Sequence, residues 1–436
     1  LTLAYTARGA FWLVWCACGR LDAQAASAAD SVAHRSKIER SLGVMAIGVL
    51  THAAPAFDGR AFTELQVTQP MLSIGLSRNR LSFVGIANAE GYTLRRGELN
   101  AGIYGEGYVD RRHPHTLVHE AMVTWMPRAP RDVSPRMSLA FSLAAGRGFV
   151  PFGSDDPMMR PFEKYPVNHH HAQILERIQV IASTRLTRDA RSVTLEVSTF
   201  NGDEPAGPFH GPRWNRMGDS WSVRGTVQPM RQLELSVSEA SVISPELQQG
   251  GAFDHRQTHA ALRWDGAPLQ PGHRYLLAEW ARTDERTNGQ RAFRFHSLLV
   301  EGGYGWRGAL AAARLERTDR GEEGRLADPF RAPLGHVDFQ LLGVTQWTVA
   351  TVVLQTPPVA QPLSSARLVP FLELSRARPV SRQQPSAFEP ATFYGASRLW
   401  SVSLGMRVHV GSLRHRMGRY GVMSLRDHTG TQHHGK

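Results

Sequence analysis

Three features of the sequence predict an all-β fold, a closed antiparallel transmembrane β-barrel of about sixteen strands. Past residue 40 the residues alternate in polarity with period two. The alternating segments are longer than ordinary globular strands. Their connections mostly alternate between short turns and long loops.

The elements follow in chain order. Arg8 precedes the apolar run Gly9–Gly19, and Ala23-Gln24-Ala25 supplies small residues before a cleavage point. That is the layout of a secretory signal peptide over residues 1–25, and the run is too short for a spanning helix. Residues 26–40 then read as a periplasmic lead-in, 41–411 as the barrel and 412–436 as a basic C-terminal tail. Cys16 and Cys18 both lie in the leader, so the exported chain is expected to carry no disulfide and no thiolate metal site.

Sixteen segments carry the strand pattern: 41–52, 61–76, 80–90, 115–127, 137–149, 172–186, 191–201, 219–229, 232–244, 254–265, 273–285, 290–303, 306–319, 335–350, 365–378 and 396–411. In the fifth, Met137, Leu139, Phe141 and Leu143 share one face and small residues the other. Val193, Leu195 and Val197 alternate with Ser192, Thr194, Glu196 and Ser198. Leu233, Leu235 and Val237 alternate with Glu234, Ser236 and Ser238. In the last, Trp400, Val402, Leu404, Met406, Val408 and Val410 oppose Ser401, Ser403, Gly405, Arg407 and His409. Strands of a soluble sandwich alternate too, so length decides: globular strands average about 5–6 residues, whereas a tilted membrane strand needs about 9–11. Fourteen or eighteen strands fall within the boundary error.

Tight turns are expected at 77–79, 187–189 and 230–231, and long loops at 91–114, 150–171, 202–218, 320–334 and 379–395. A rim of short turns facing a rim of long loops is the pattern of outer-membrane barrels. Spanning β-structure must close on itself, because lipid offers no partner to edge amides. Trp125, Tyr165, Trp221, Trp264, Trp280, Trp306 and Trp400 lie near strand ends, where interfacial girdles form. The basic tail departs from barrels that finish on their last strand.

The bulk composition conceals this. The 42% apolar content excludes disorder, and past residue 30 no apolar run reaches the roughly 18–20 residues of a spanning helix. Lys occurs only at 37, 164 and 436, so the net charge of +12 is carried by Arg. That bias reflects either codon usage or an anion-attracting surface.

Chemistry-bearing residues concentrate in loops and on the inner face. Loop 150–171 carries Asp155, Asp156, Arg160, Glu163 and Lys164. Folded inward, those charges would form a constriction; folded outward, they are a solvated loop. The alternation offers Arg177, Arg185, Glu196, Arg224, Glu234, Arg294, His296, Arg407 and His409 as lumen-facing, either lining an anion-favouring pore or bracing the wall. His113, His115, His119 and Glu120, and separately His169 and His170, contain metal-ligand types. On a straight strand His115 and His119 would lie roughly 13 Å apart, so rim hydrogen bonding is the stronger reading; a site shared by His113, His115, His169 and His170 is the alternative. No G-x-S-x-G, P-loop or Cys nucleophile is present, which argues against an enzyme. The export signal argues against a nucleic-acid role.

Val109-Asp110-Arg111-Arg112-His113-Pro114-His115, Pro166–His170, Phe200-Asn201-Gly202-Asp203-Glu204-Pro205, Asp219-Ser220-Trp221-Ser222-Val223-Arg224 and Ser244-Pro245-Glu246 occur in an order that resembles a family of uncharacterised, porin-like bacterial outer-membrane barrels. The likeness covers residues 41–250, and the rest only by strand pattern. It implies a barrel, no established substrate, and a loose connection with heavy-metal resistance gene neighbourhoods. Members tend to end at their last strand, unlike this chain.

The sequence therefore predicts an outer-membrane channel for small, anionic or metal-complexed solutes. A non-conducting barrel that binds a ligand or metal ion at a His-rich extracellular rim is the alternative, and an outer-membrane enzyme is a third, weaker reading. Expected partners are the bilayer with its lipopolysaccharide, the barrel-insertion machinery and small solutes, with no cofactor beyond a rim metal ion.

Overall fold

Closure is complete in the computed structural model, whose described residues are 38–54, 61–94, 115–127, 131–134, 136–154, 157–205, 208–211, 214–245, 253–266, 274–323, 341–359, 366–382, 389–412 and 416–426. All belong to the unit Ile38–Lys436. The predicted signal peptide and most of the lead-in lie outside them.

The strands are β1 (Glu39–Ala54), β2 (Phe62–Arg78), β3 (Leu81–Asn88), β4 (Val118–Trp125), β5 (Arg131–Ser134), β6 (Met137–Gly148), β7 (Arg177–Arg188), β8 (Arg191–Phe200), β9 (Ser220–Met230) and β10 (Leu233–Val242). They continue with β11 (Asp254–Gly266), β12 (Arg274–Thr287), β13 (Gln290–Trp306), β14 (Ala309–Glu323), β15 (Leu341–Gln355), β16 (Ala366–Ser381) and β17 (Leu399–Gly411). Each pairs antiparallel with its neighbour, and β1 returns to β17 from Gly43↔Gly411 to Ala54↔Trp400. β4 pairs with β6 at Ala121↔Arg147 through Trp125↔Leu143, and β5 takes the next stretch of the same edge, from Arg131↔Leu139 to Ser134↔Met137. β4 and β5 are thus one interrupted row, and the closed barrel has sixteen rows.

The two faces reverse the soluble pattern. Along β8, Val193, Leu195 and Val197 are 54%, 46% and 47% exposed, while Ser192, Thr194, Glu196 and Ser198 are buried. Leu315, Leu354, Leu374 and Leu404 repeat that outward apolar face on later strands. Such a belt is stable only against hydrocarbon, with every backbone group paired around the ring. Trp125, Trp221, Trp306 and Trp400 sit on the outer face near strand ends, whereas Trp280, also on the outer face, lies in the middle of β12. Tyr165, expected among them, is buried inside.

Two-residue turns 79–80, 189–190, 231–232 and 307–308 occupy one rim. The other rim carries the long loops, with one exception. β12 and β13 meet across Asn288-Gly289, both at positive φ (49° and 76°), the backbone of a tight hairpin. The segment expected to become strand from 172 begins strand only at Arg177. Residues 169–172 form a helical turn, and Glu176 takes φ 57°, which breaks the run.

Inside, the core is built between wall and filling. Met45, Met71 and Ile86 from β1–β3 pack with Phe149, Met158 and Tyr165 of the long loop 149–176 and with Met417 beyond the last strand. The loop and the tail segment 416–426 therefore both lie in the lumen.

Candidate functional site

The inward-folded loop is fastened by an acidic row on β12, β14 and β16. Glu163 and Lys164 donate their backbone N–H groups to Glu373 at 2.7 and 3.1 Å, and Val167 donates to Glu316 at 2.8 Å. Arg160 bridges to Glu279 at 3.0 Å and approaches Glu301 on β13 at 3.7 Å; Ser154 also hydrogen-bonds Glu279. Arginines of the same wall hold loop carbonyls: Arg314 donates to Lys164 O and Arg407 to Pro161 O, each at 2.8 Å. Arg314 also lies over the Phe162 ring at 4.6 Å. These buried charges are tolerable because each is matched by a counter-charge or amide.

Lys164 donates to Ser401 at 3.0 Å. Burial pushes its ammonium down to about 8, against the opposing pull of Glu373 and Glu163.

The tail is held on the opposite wall. Arg416 makes two bonds to Glu234, at 2.9 and 2.8 Å, and Arg419 adds a third at 2.8 Å. Tyr420 donates to Glu120 at 3.0 Å and accepts from Phe149 N at 3.1 Å. Val422 N donates to Ser142 at 3.0 Å, and Arg185 donates to Val422 O at 3.2 Å. Gly421 sits at φ 58°, where a Cβ would fall 2.0 Å from Ser142 Oγ, so only glycine fits there. Tail and loop also touch directly, through Arg419 and Ser154 O at 3.4 Å.

Of the residues expected to face the lumen, Arg177, Arg185, Glu196, Arg224, Glu234 and Arg407 do so. Glu196 pairs with Arg224 at 2.6 Å, Arg177 with Glu204 at 3.0 Å, and Arg185 with Gln228 at 3.2 Å. Arg294 and His296 are corrections, for both lie on the outer face. Leu298 and Val300 set the lipid-facing parity of β13, which places Phe293, Phe295 and Ser297 inward and carries His296 and Arg294 outward. Arg294 pairs there with Asp284.

In the loop, Arg160, Glu163 and Lys164 are lumenal, while Asp155 and Asp156 lie outside the described residues. Glu279, Glu301, Arg314, Glu316 and Glu373, which hold the loop, were not anticipated. Parity alone marks the first, since Trp280 and Leu276 face outward and fix Glu279 inward.

The histidines rearrange the expectation most. His113 lies outside the described residues. His115 and His119 are not 13 Å apart: β4 starts only at Val118, and a bulge opposite Ile86/Ala87 turns the chain, leaving their rings 5.0 Å apart. Both approach Glu176 Oε1, at 3.4 Å from His115 Nδ1 and 2.7 Å from His119 Nδ1. Burial alone would raise the Glu176 carboxyl, but these hydrogen bonds hold it well below the usual carboxylate range. His169 and His170 belong to a helical turn, not an extended run. His169 meets Tyr165 and His170 by ring contact and does not join the His115 cluster, although Tyr165 lies between them, 3.3 Å from His115 Nε2.

No family model and no curated protein matches the chain. Among solved structures it is similar to an anion-selective porin from Comamonas acidovorans, at 8% identity and TM-score 0.47, covering 86% of this chain and 100% of that one. It is also similar to a loop-deleted OmpT of Vibrio cholerae, at 8% and 0.46 with 86% and 99% covered. OpdK of Pseudomonas aeruginosa stands at 9% and 0.39, with 86% and 99% covered. The expected tie to heavy-metal resistance finds no support in these three. The class follows from the chain's own geometry: sixteen closed antiparallel rows, an outward apolar belt, a charged interior and one rim of short turns. That combination defines a porin-like β-barrel of the bacterial outer membrane.

Proposed function

We propose that the protein is an outer-membrane channel for small solutes, anionic or metal-complexed ones among them, with a lumen narrowed by loop 149–176. The observation that carries this reading is the loop's placement. It folds into the lumen with Arg160, Glu163 and Lys164 buried against the wall, which narrows the path and sets fixed charge beside it. The inner wall carries both signs, so the reversal potential reads the preference directly. Planar-bilayer recording of the refolded protein tests the channel: stable conductance steps are expected, and silence from both the full chain and a chain ending at Gly411, each correctly folded, overturns it.

A second reading has its own observation. Segment 416–426 also occupies the lumen, which favours a plugged barrel that binds a ligand without conducting. Recording the full chain beside a chain ending at Gly411 separates the two. Steps from the truncated chain alone mark a channel held shut by its tail; silence from both supports the binder.

A further inference from the structure

The cluster His115, His119 and Glu176, where the loop runs into β7, is separate from the acidic row on β12, β14 and β16 and from the Glu234 grip on the tail, and it has the composition of a metal centre. We infer that these three side chains form a binding site for a first-row divalent transition-metal ion of the zinc class, within the barrel beside the start of β7. Their ligand atoms, two imidazole nitrogens and one carboxylate oxygen, all lie within 4.8 Å of one another, and all three residues are buried. Two imidazoles and one carboxylate form a common three-ligand set for zinc, with a fourth position open to water or a solute.

The local chain is shaped to bring them together. His119 is the extra residue of the β4 bulge, for Ile86 pairs with Glu120 and Ala87 with Val118, leaving His119 unmatched in the ladder. That bulge turns its ring inward beside His115. Glu176 enters from the other side at φ 57°, an uncommon backbone for glutamate that ends the loop and aims the carboxylate back at both rings.

The two His–Glu distances are close to those a bound ion requires, while the imidazole nitrogens, within 4.8 Å of each other, must draw together on binding. Ligand bonds of about 2.0–2.2 Å in tetrahedral arrangement put ligand atoms roughly 3.3 Å apart. His115 Nδ1 and Glu176 Oε1 already stand 3.4 Å apart, and the His119–Glu176 contact of 2.7 Å must open by about half an ångström. Supporting groups are in place around the three. Tyr165 Oη lies 3.3 Å from His115 Nε2, where it can accept the N–H of a ring ligating through Nδ1. Arg147 approaches the distal Oε2 at 3.9 Å, which leaves Oε1 to the ion, and Thr116 N–H steadies that same oxygen at 2.9 Å. Without a metal ion the two imidazole Nδ1–H groups can donate to Glu176 instead.

The test uses the full chain refolded in detergent, with Zn2+ competed against a chromophoric chelator and Co2+ read by its visible absorption. The wild type is expected to bind one ion tightly, with a four-coordinate Co2+ spectrum. His119→Ala with His115→Ala should lower Zn2+ affinity by more than the roughly 10- to 100-fold that loss of an outer-shell partner costs. His169→Ala with His170→Ala should leave both readouts unchanged. Heat-modifiable gel mobility reports folding of each variant. Glu176→Gln, which keeps side-chain shape and one acceptor, replaces the double variant should that not fold, and should also weaken binding. Unchanged affinity in a folded ligand variant overturns the site, as does a wild type whose only ions dissociate with its other histidines. Binding in detergent is independent of conductance, so either outcome leaves the channel reading where it stands.

Discussion

The two segments inside the barrel are held in opposite ways. Loop 149–176 is tied to the wall at both ends, through β6 and β7, and several of its bonds come from its own backbone: the amides of Glu163, Lys164 and Val167 reach Glu373 and Glu316. Changing a loop side chain leaves those amides in place. Segment 416–426 reaches the barrel covalently through β17, and side chains dominate its grip, with Arg416 and Arg419 on Glu234 and Tyr420 on Glu120. The loop behaves as part of the wall, whereas the tail is a filling that a few side chains retain.

The largest expected effect tests that difference outright. A chain ending at Gly411 keeps every barrel strand and the whole loop, and should show the same heat-modifiable mobility with single-channel conductance raised roughly several-fold. Equal conductance with and without the tail would remove the distinction. The next effect comes from Glu234→Gln. It leaves Arg416 and Arg419 facing a neutral amide, and removing one partner of a buried pair costs about 3–5 kcal/mol, less here because Arg416 is partly exposed. Flickering between the wild-type and truncated conductance levels is expected, together with faster proteolysis of the tail. Glu373→Gln should do less than Glu234→Gln, since the new amide oxygen still accepts a loop N–H. A larger effect at Glu373 than at Glu234 would invert the comparison.

How legible each part was depends on where its information lies. The strand rows were legible because lipid imposes one parity over many residues, as in Val193, Leu195 and Val197 or Trp400 through Val410. Toward the start of β13 that constraint stops. Arg294 and His296 extend past the apolar belt, polar residues are tolerated on the outer face there, and local alternation gives the wrong side. The His115–His119 contact was hidden by a bulge, which period-two reasoning does not contain. The tail was hidden by distance, for Arg416 finds Glu234 at a separation of 182 residues and Tyr420 finds Glu120 at 300. Read alone, such a segment looks solvated. The acidic row was readable in principle: Glu279 and Glu373 each stand between outward apolar neighbours, so parity assigns them inward even though it does not say what they hold.

The smallest effect concerns the one lysine in the loop. Burial lowers the Lys164 ammonium from its ordinary 10.5 to about 8 in the folded chain. Below pH 8 it is protonated both folded and unfolded, so it contributes no pH dependence there, and the cost of the buried charge is fully present. Between pH 8 and 10.5 the unfolded chain binds the proton that the folded chain has released, so stability rises with pH across that window. The lumen loses one positive charge over the same range, beside the carboxylates of Glu163 and Glu373. The reversal potential in a salt gradient should therefore move toward cation preference as pH passes 8, by the modest amount one charge among many can give. Lys164→Met should hold the cation-shifted value at pH 7 and abolish the step, with the backbone amides of the loop still bound to Glu373. A step of equal size in the variant would assign the titration to another group and leave Lys164 as packing alone.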